Sequence, residues 1–304
     1  MVLPAPSSEP RPVVGILWML CTGALFVGVT AIVKHVGDGI PPGQAAFLRY
    51  FMGLVFFIPL LPRLRAAQLD RRAHGLFALR GLVHALGVTC WFFAMTRIPL
   101  AEVTALGYLA PIYVTIGAAL FLGERLAVRR IAAVAVALAG ALVILRPGVR
   151  ELSPGHVAML LNAVLFATSF LVAKVMADRE SPTVVVAWLS VWVTVGLFPL
   201  ALVDWVVPTW TQVGWLFVVA ALATAGHFTM TLGLRAAPIT VTQPVTFLQL
   251  VWATLLGALV FGEGIDAFVI AGGALILGAV SFITWREAVL KRRSITPPVV
   301  ATKL

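Results

Sequence analysis

The chain has 304 residues, of which 61% are hydrophobic and only 11% charged, and its mean hydropathy is +1.03. A soluble domain carries about 25% charged residues, so a water-solvated globule is excluded and lipid must be the solvent for much of this surface. The net charge of +10, from 22 Lys+Arg against 12 Asp+Glu, is read first as the bias that orients membrane spans and not as a nucleic-acid footprint.

Residues 1–12, MVLPAPSSEPRP, form a polar, Pro-rich tail. The apolar run that follows, 13–33, is longer than a signal-peptide core and lacks a convincing A-x-A site, so it reads as a first span and not as a cleaved leader. A span needs roughly 20 apolar residues. Further spans are predicted at 44–62, 75–96, 101–122, 128–146, 156–176, 183–203, 212–232, 240–261 and 267–285, which makes ten in an all-α membrane protein. The breaks are short and carry turn and charge signals, such as GDGIPPG at 37–43 and GERLAVRR at 123–130. No loop is long enough for a soluble domain. Cys21 and Cys90 lie far apart inside apolar runs and read as buried, inert thiols.

With the N-terminus inside, sixteen Lys and Arg fall in cytoplasmic segments, and only Lys34, Arg97, Arg146 and Arg150 fall outside. Positive-inside bias then places both termini in the cytoplasm, with residues 286–304 as a basic tail and 147–155 as an external linker.

Shifted by 139 residues, Pro99–Glu124 falls on Pro238–Glu263, and AALFLGE at 118–124 meets GALVFGE at 257–263. A shift of 140 puts Phe26 on Phe166, Lys34 on Lys174 and Pro59-Leu60 on Pro199-Leu200. The chain therefore reads as two copies, 13–146 (spans 1–5) and 156–285 (spans 6–10). Five is odd, so the second copy inserts upside down. Inverted repeats with a site between them near the midplane suit alternating access.

Ten spans in two halves, with AMTRIPLAEVTALGYLAPIYVTIGAALFLGE at the span 3–4 junction and GLRAAPITVTQPVTFLQLVWATLLGALVFGE as its partner, resemble the drug/metabolite transporter superfamily, specifically proteins with two EamA domains. The resemblance implies a bacterial inner-membrane carrier without a cofactor. Its central cavity would be lined mainly by spans 1–4 and 6–9, with spans 5 and 10 outside. Such families move amino acids, vitamins, nucleotide-like metabolites or drugs. The small-metabolite permease or exporter reading is the first; uptake of a riboflavin- or S-adenosylmethionine-type compound is its alternative.

Candidate substrate contacts follow from polar and aromatic residues placed inside spans. Arg49, beside Tyr50, lies about two turns into span 2 and has no charged counterpart in the second half, where Leu189 stands. A charge at such depth marks a functional site by default; a carboxylate or phosphate of the substrate is one partner and the outer headgroups are the other. His84 and His227 are the histidines well inside spans, and either could bind substrate, carry a proton or bond a neighbouring helix. Trp91, Tyr108, Trp188, Trp192 and Trp252 also lie within spans, and Asn162, Gln243 and Gln249 add amides that should face the interior. Pro111 and Pro244 interrupt spans 4 and 9 as hinges or static kinks. Lys34 and Lys174 end spans 1 and 6 as snorkelling anchors. Gly123-Glu124 and Gly262-Glu263 read as helix stops at headgroup depth, or as gates contacting basic residues such as Arg129 and Arg130. Alanines and glycines at 133, 137, 141, 274 and 278 form small-residue stripes in spans 5 and 10, for packing within the chain or, less required, in a homodimer.

There is no GxxxxGK[ST], HExxH or GxSxG, and no metal spacing. All twelve acids sit at span ends or in loops, which argues against polycation efflux through a mid-membrane carboxylate. A polytopic membrane enzyme is the reading from another class, and it lacks a catalytic constellation. The partners expected are a small-molecule substrate and the lipid bilayer, with no nucleic acid.

Overall fold

A computed structural model describes residues 11–62, 69–122, 128–149, 151–177, 182–237 and 244–295. Among these described residues, eight helices are long and apolar enough to cross a membrane: Pro12–Val36, Arg71–Met95, Leu100–Phe121, Val128–Leu145, Pro154–Ala173, Val184–Leu202, Trp210–Met230 and Ala267–Arg286. They are spans 1, 3, 4, 5, 6, 7, 8 and 10. The other two expected spans are present but are not long regular helices. Span 2 is an α-helix, Pro42–Gly53, that tightens into a 3₁₀ run, Leu54–Leu60, containing Pro59. Span 9 opens as a 3₁₀ turn, Pro244–Thr246, and continues as Phe247–Phe261.

Span 4 is also divided, into Leu100–Gly107 and Ala110–Leu122. Pro111 has no N–H to give the carbonyl one turn back, so the helix cannot run through it regularly. The chain turns instead through short i→i+3 bonds, Tyr108 N–H to Ala105 O (3.2 Å), Leu109 N–H to Leu106 O (3.0 Å) and Ile112 N–H to Leu109 O (3.0 Å). The perimeter is apolar: Phe121, Leu259 and Trp210 are 80%, 83% and 90% exposed. An apolar surface of this kind needs lipid around it.

The packing carries the duplication seen in the sequence. Span 1 lies along span 8 as span 3 lies along span 6; span 4 meets span 6 as span 9 meets span 1. Span 3 meets span 7 as span 8 meets span 2, while spans 2 and 7, 4 and 9, and 5 and 10 pair with their own repeat partners. Each half therefore completes its core only against the other.

Spans 5 and 10 approach closest at two glycines. A Cβ on Gly140 would stand 2.7 Å from the Gly272 carbonyl oxygen, and one on Gly272 would strike the Gly140 carbonyl and Ile144. In span 5 the expected stripe, Ala133, Ala137 and Ala141, is buried. In span 10 it is not: Ala274 and Gly278 face outward, and Gly272, Ile276 and Ala279 form the contact. Neighbours two and one residues off the expected stripe take the crossing because Gly272 brings its backbone against that of Gly140.

Candidate functional site

The face at which span 1 begins is the near face, and the opposite one is the far face. Between them, the interior side chains of five spans converge. Arg49 on span 2 is 6% exposed, and its guanidinium lies over the Tyr50 ring with Cζ 4.0 Å from the centroid. The Tyr50 hydroxyl is 3.2 Å from His84 Nε2, and His84 Nδ1 is 3.2 Å from the Ser169 hydroxyl on span 6. Phe166, also on span 6, stacks flat on His84 with centroids 4.5 Å apart. Phe26, its repeat partner on span 1, meets His227 edge-on at 5.2 Å. The Phe–Gly contacts obey the internal symmetry, each Phe lying against a glycine of the facing helix, Gly87 or Gly226, whereas the histidines do not, since His84 falls on Ala223 and not on His227.

His227 has an exposed surface and yet lies within electrostatic reach of Arg49 and His84. His84 and Tyr50 are half-buried.

The sequence reading passed over Arg80. It lies inside the apolar run 75–96, one turn before His84 on the same helix face, and is 6% exposed. Its Nη1 donates to the Val185 carbonyl of span 7 at 3.2 Å, while its Nε is buried with no acceptor among the described residues. The signal was available, since a guanidinium in a hydrophobic run is as costly there as at position 49. Trp188 and Trp192 follow Val185 on span 7, and Gly81 lets span 3 press directly on Trp192. Trp188 packs against Phe77 and edge-on to His74. Both indole N–H groups are buried without an acceptor among the described residues.

Other candidates hold the scaffold. Asn162 Nδ2 donates to Gly87 O at 2.9 Å, tying span 6 to span 3; its repeat equivalent, Thr22, bonds Thr229 at 2.8 Å between spans 1 and 8. The Tyr108 hydroxyl, at the break in span 4, donates to Thr246 O at 2.8 Å, in the 3₁₀ opening of span 9. The two proline-interrupted segments are thereby bonded to each other. Pro111 itself is exposed. Trp252 packs with Val27, Leu100 and Ala253 and lies over Gly23, with half-buried Gln249 beside the same glycine. Trp91 packs on the main core next to Phe92. Gln243, Gly123-Glu124 and the Lys174 side chain lie outside the described residues.

At the far face, polar links join the halves wherever they meet. Lys34 does not snorkel: its ammonium pairs with Glu263 Oε1 at 2.5 Å and donates to Ile98 O at 3.0 Å. Glu263 Oε2 accepts from Leu100 N–H at 2.9 Å. The Gly-Glu ending makes this possible. Gly262 takes a left-handed conformation (φ 66°) that reverses the chain. The carboxylate then folds back over Gly257, where a Cβ would collide with it. The first copy has Ala118 at that position. Nearby, His156 Nδ1 accepts from Ser153 N–H, so Nε2 carries the proton given to Glu102 at 2.5 Å, both side chains being buried. Arg146 pairs with Asp266 between spans 5 and 10. Gln44 of span 2 exchanges two hydrogen bonds with the backbone of Val206, at 2.6 and 3.0 Å, beyond span 7.

Both halves match a family model described as the EamA-like transporter family, at residues 13–146 and 153–285. The chain is 33% identical over 290 residues to a riboflavin transporter of Rhizobium johnstonii, covering 94% of this chain and 96% of the relative. It is 29% identical to a pseudopaline exporter of Pseudomonas aeruginosa, over 87% and 94%, and 25% identical to an S-adenosylmethionine uptake transporter of Rickettsia prowazekii, over 90% and 93%. A solved crystal structure shares the fold with a TM-score of 0.59 at 21% identity, covering 91% of this chain and 98% of its own. Two five-span halves packed face to face, each matched by the same family model, make this chain a member of the EamA-like transporter family.

Proposed function

We propose that the chain is a secondary carrier that moves a small organic metabolite across a bacterial inner membrane by alternating access, without altering it chemically. The near face is cytoplasmic and the far face external, as the loop charges require. The observation that carries the reading is the interior group of Arg49, Tyr50, His84 and His227 between the halves, flanked by Phe26 and Phe166. Arg49 and Arg80 have no counterpart in the repeat, where Leu189 and Val219 stand. Symmetric residues serve the scaffold, whereas an asymmetric solute needs asymmetric contacts. The relatives' substrates, named as riboflavin, pseudopaline and S-adenosylmethionine, set the expected size class. The monomer suffices, and a homodimer is not required.

Counterflow in proteoliposomes tests this. Vesicles loaded with a metabolite panel are diluted into trace labelled solute, and saturable uptake accelerated by internal solute is the expected result. Uptake that is linear in concentration and indifferent to internal solute would mean a channel. Chemical conversion of the solute would mean an enzyme.

A further inference from the structure

We propose that spans 3 and 7 form an oxyanion subsite in which Arg80 and the indole N–H groups of Trp188 and Trp192 bind a carboxylate or phosphate of the transported solute, with Arg49 facing it from span 2. The proposal rests on the reading of the interior as the transport site and adds the substrate's charge class.

Buried polar groups in folded proteins almost always find partners. Here three donors at one helix interface do not: Arg80 Nε, Trp188 Nε1 and Trp192 Nε1. They lie along one crossing of spans 3 and 7: Arg80 bonds the carbonyl of Val185, three residues before Trp188, and Gly81 abuts the Trp192 backbone and Cβ. All three are donors and none can accept, so the group that satisfies them must be acceptor-rich.

Charge points the same way. Among the described residues no ion pair or hydrogen bond engages Arg49, and no acid pairs with either arginine. Glu102, Glu263 and Asp266 are engaged with His156, Lys34 and Arg146 at the far face, and Asp70 caps the start of span 3. At 1.5 Å per residue, Arg49 lies about 10 Å along its helix from the far end and Arg80 about 13 Å along its helix from the near end. In a core about 30 Å thick both guanidinia are near the midplane. Two uncompensated cations at that depth are costly unless an anion or water joins them. The flat rings of His84, Phe166 and Trp188 then suit the apolar body of the same solute.

The test uses purified protein in detergent and tryptophan emission with thermal stability as readouts. The probes are 2-naphthoate and 2-naphthyl phosphate, each against neutral 2-naphthamide, with inorganic phosphate against chloride at matched ionic strength. Saturable binding of at least one anion, at least tenfold tighter than the amide, is expected. Trp188→Phe and Trp192→Phe, which keep a ring and remove one donor, should each weaken the anion about fivefold and leave the amide unchanged. Arg80→Gln should abolish the preference, and Arg80→Lys should restore part of it, which separates loss of the site from loss of the fold. Equal affinity for anion and amide, anion binding indifferent to these variants, or no anion binding at all would overturn the subsite and identify the donors as water-satisfied. Counterflow positive with this result leaves the carrier reading standing; an anion site without counterflow removes the carrier reading alone.

Discussion

Glu263→Gln should open the far face. The substitution keeps shape and volume but removes the charge 2.5 Å from the Lys34 ammonium and weakens the acceptor for Leu100 N–H. The two side chains are only 18% and 12% exposed, so water screens the pair little. A hydrogen bond to a charged group contributes about 1.5–3 kcal/mol, and leaving one buried partner unpaired adds to the loss. Taking about 2 kcal/mol for the clasp, the ratio of open to closed far face should rise about 30-fold. Ile98 reports it, being 2% exposed under the clasp with its carbonyl bound to Lys34. In a chain lacking Cys21 and Cys90, Ile98→Cys would be labelled by a maleimide in permeabilised vesicles, so that membrane orientation does not enter. The labelling rate should rise about 30-fold with Glu263→Gln and with Lys34→Gln, and the swap Lys34→Glu with Glu263→Lys should recover part of the protection. Rates within twofold of the parent in both single variants, or a swap as reactive as the singles, would refute the clasp.

Two further outcomes follow from other contacts. Tyr108→Phe removes the bond between the two interrupted spans without touching Arg49 or His84; counterflow should slow severalfold at unchanged half-saturation, whereas a substrate contact would raise the half-saturation constant. Gly272→Ala forces a methyl group into the Gly140 carbonyl; overpacking of this kind costs roughly 1–3 kcal/mol, seen as a lower melting temperature in detergent with the oligomeric state unchanged.

The ten apolar runs were legible because lipid as solvent imposes length and composition on every span. The repeat was legible because Pro and Gly-Glu are rare in such runs. Breaks in spans 4 and 9 were expected at Pro111 and Pro244, but not their mutual bond, since Tyr108 and Thr246 are 138 residues apart. The Lys34–Glu263 pair was hidden for a related reason. Each residue alone fits an anchor or a helix stop, and only the fold shows that the end of span 1 meets the end of span 9. Glu102 counted only among the acids at span ends or in loops and His156 was not singled out, and their burial depends on how span 4 meets span 6. Position 80 shows a different failure: the run 75–96 was accepted whole, and the one charge deep inside it was not questioned.

Duplication would make the two end states of such a carrier equal in energy if the halves were identical, because every contact closing one face would recur at the other. The far-face links are where the copies diverged. Lys34 and Glu263 have repeat partners of the same type, Lys174 and Glu124. The other acids do not: Glu102 falls on Val241, and Asp266 on Ala127, neither of which can hold a cation. Gln44 likewise falls on Val184. The difference in links between the two faces therefore arises from substitutions accumulated after the gene doubled. Replacing Glu102 or Asp266 would remove a far-face link that has no like counterpart in the repeat, and should shift the carrier's balance between its two faces.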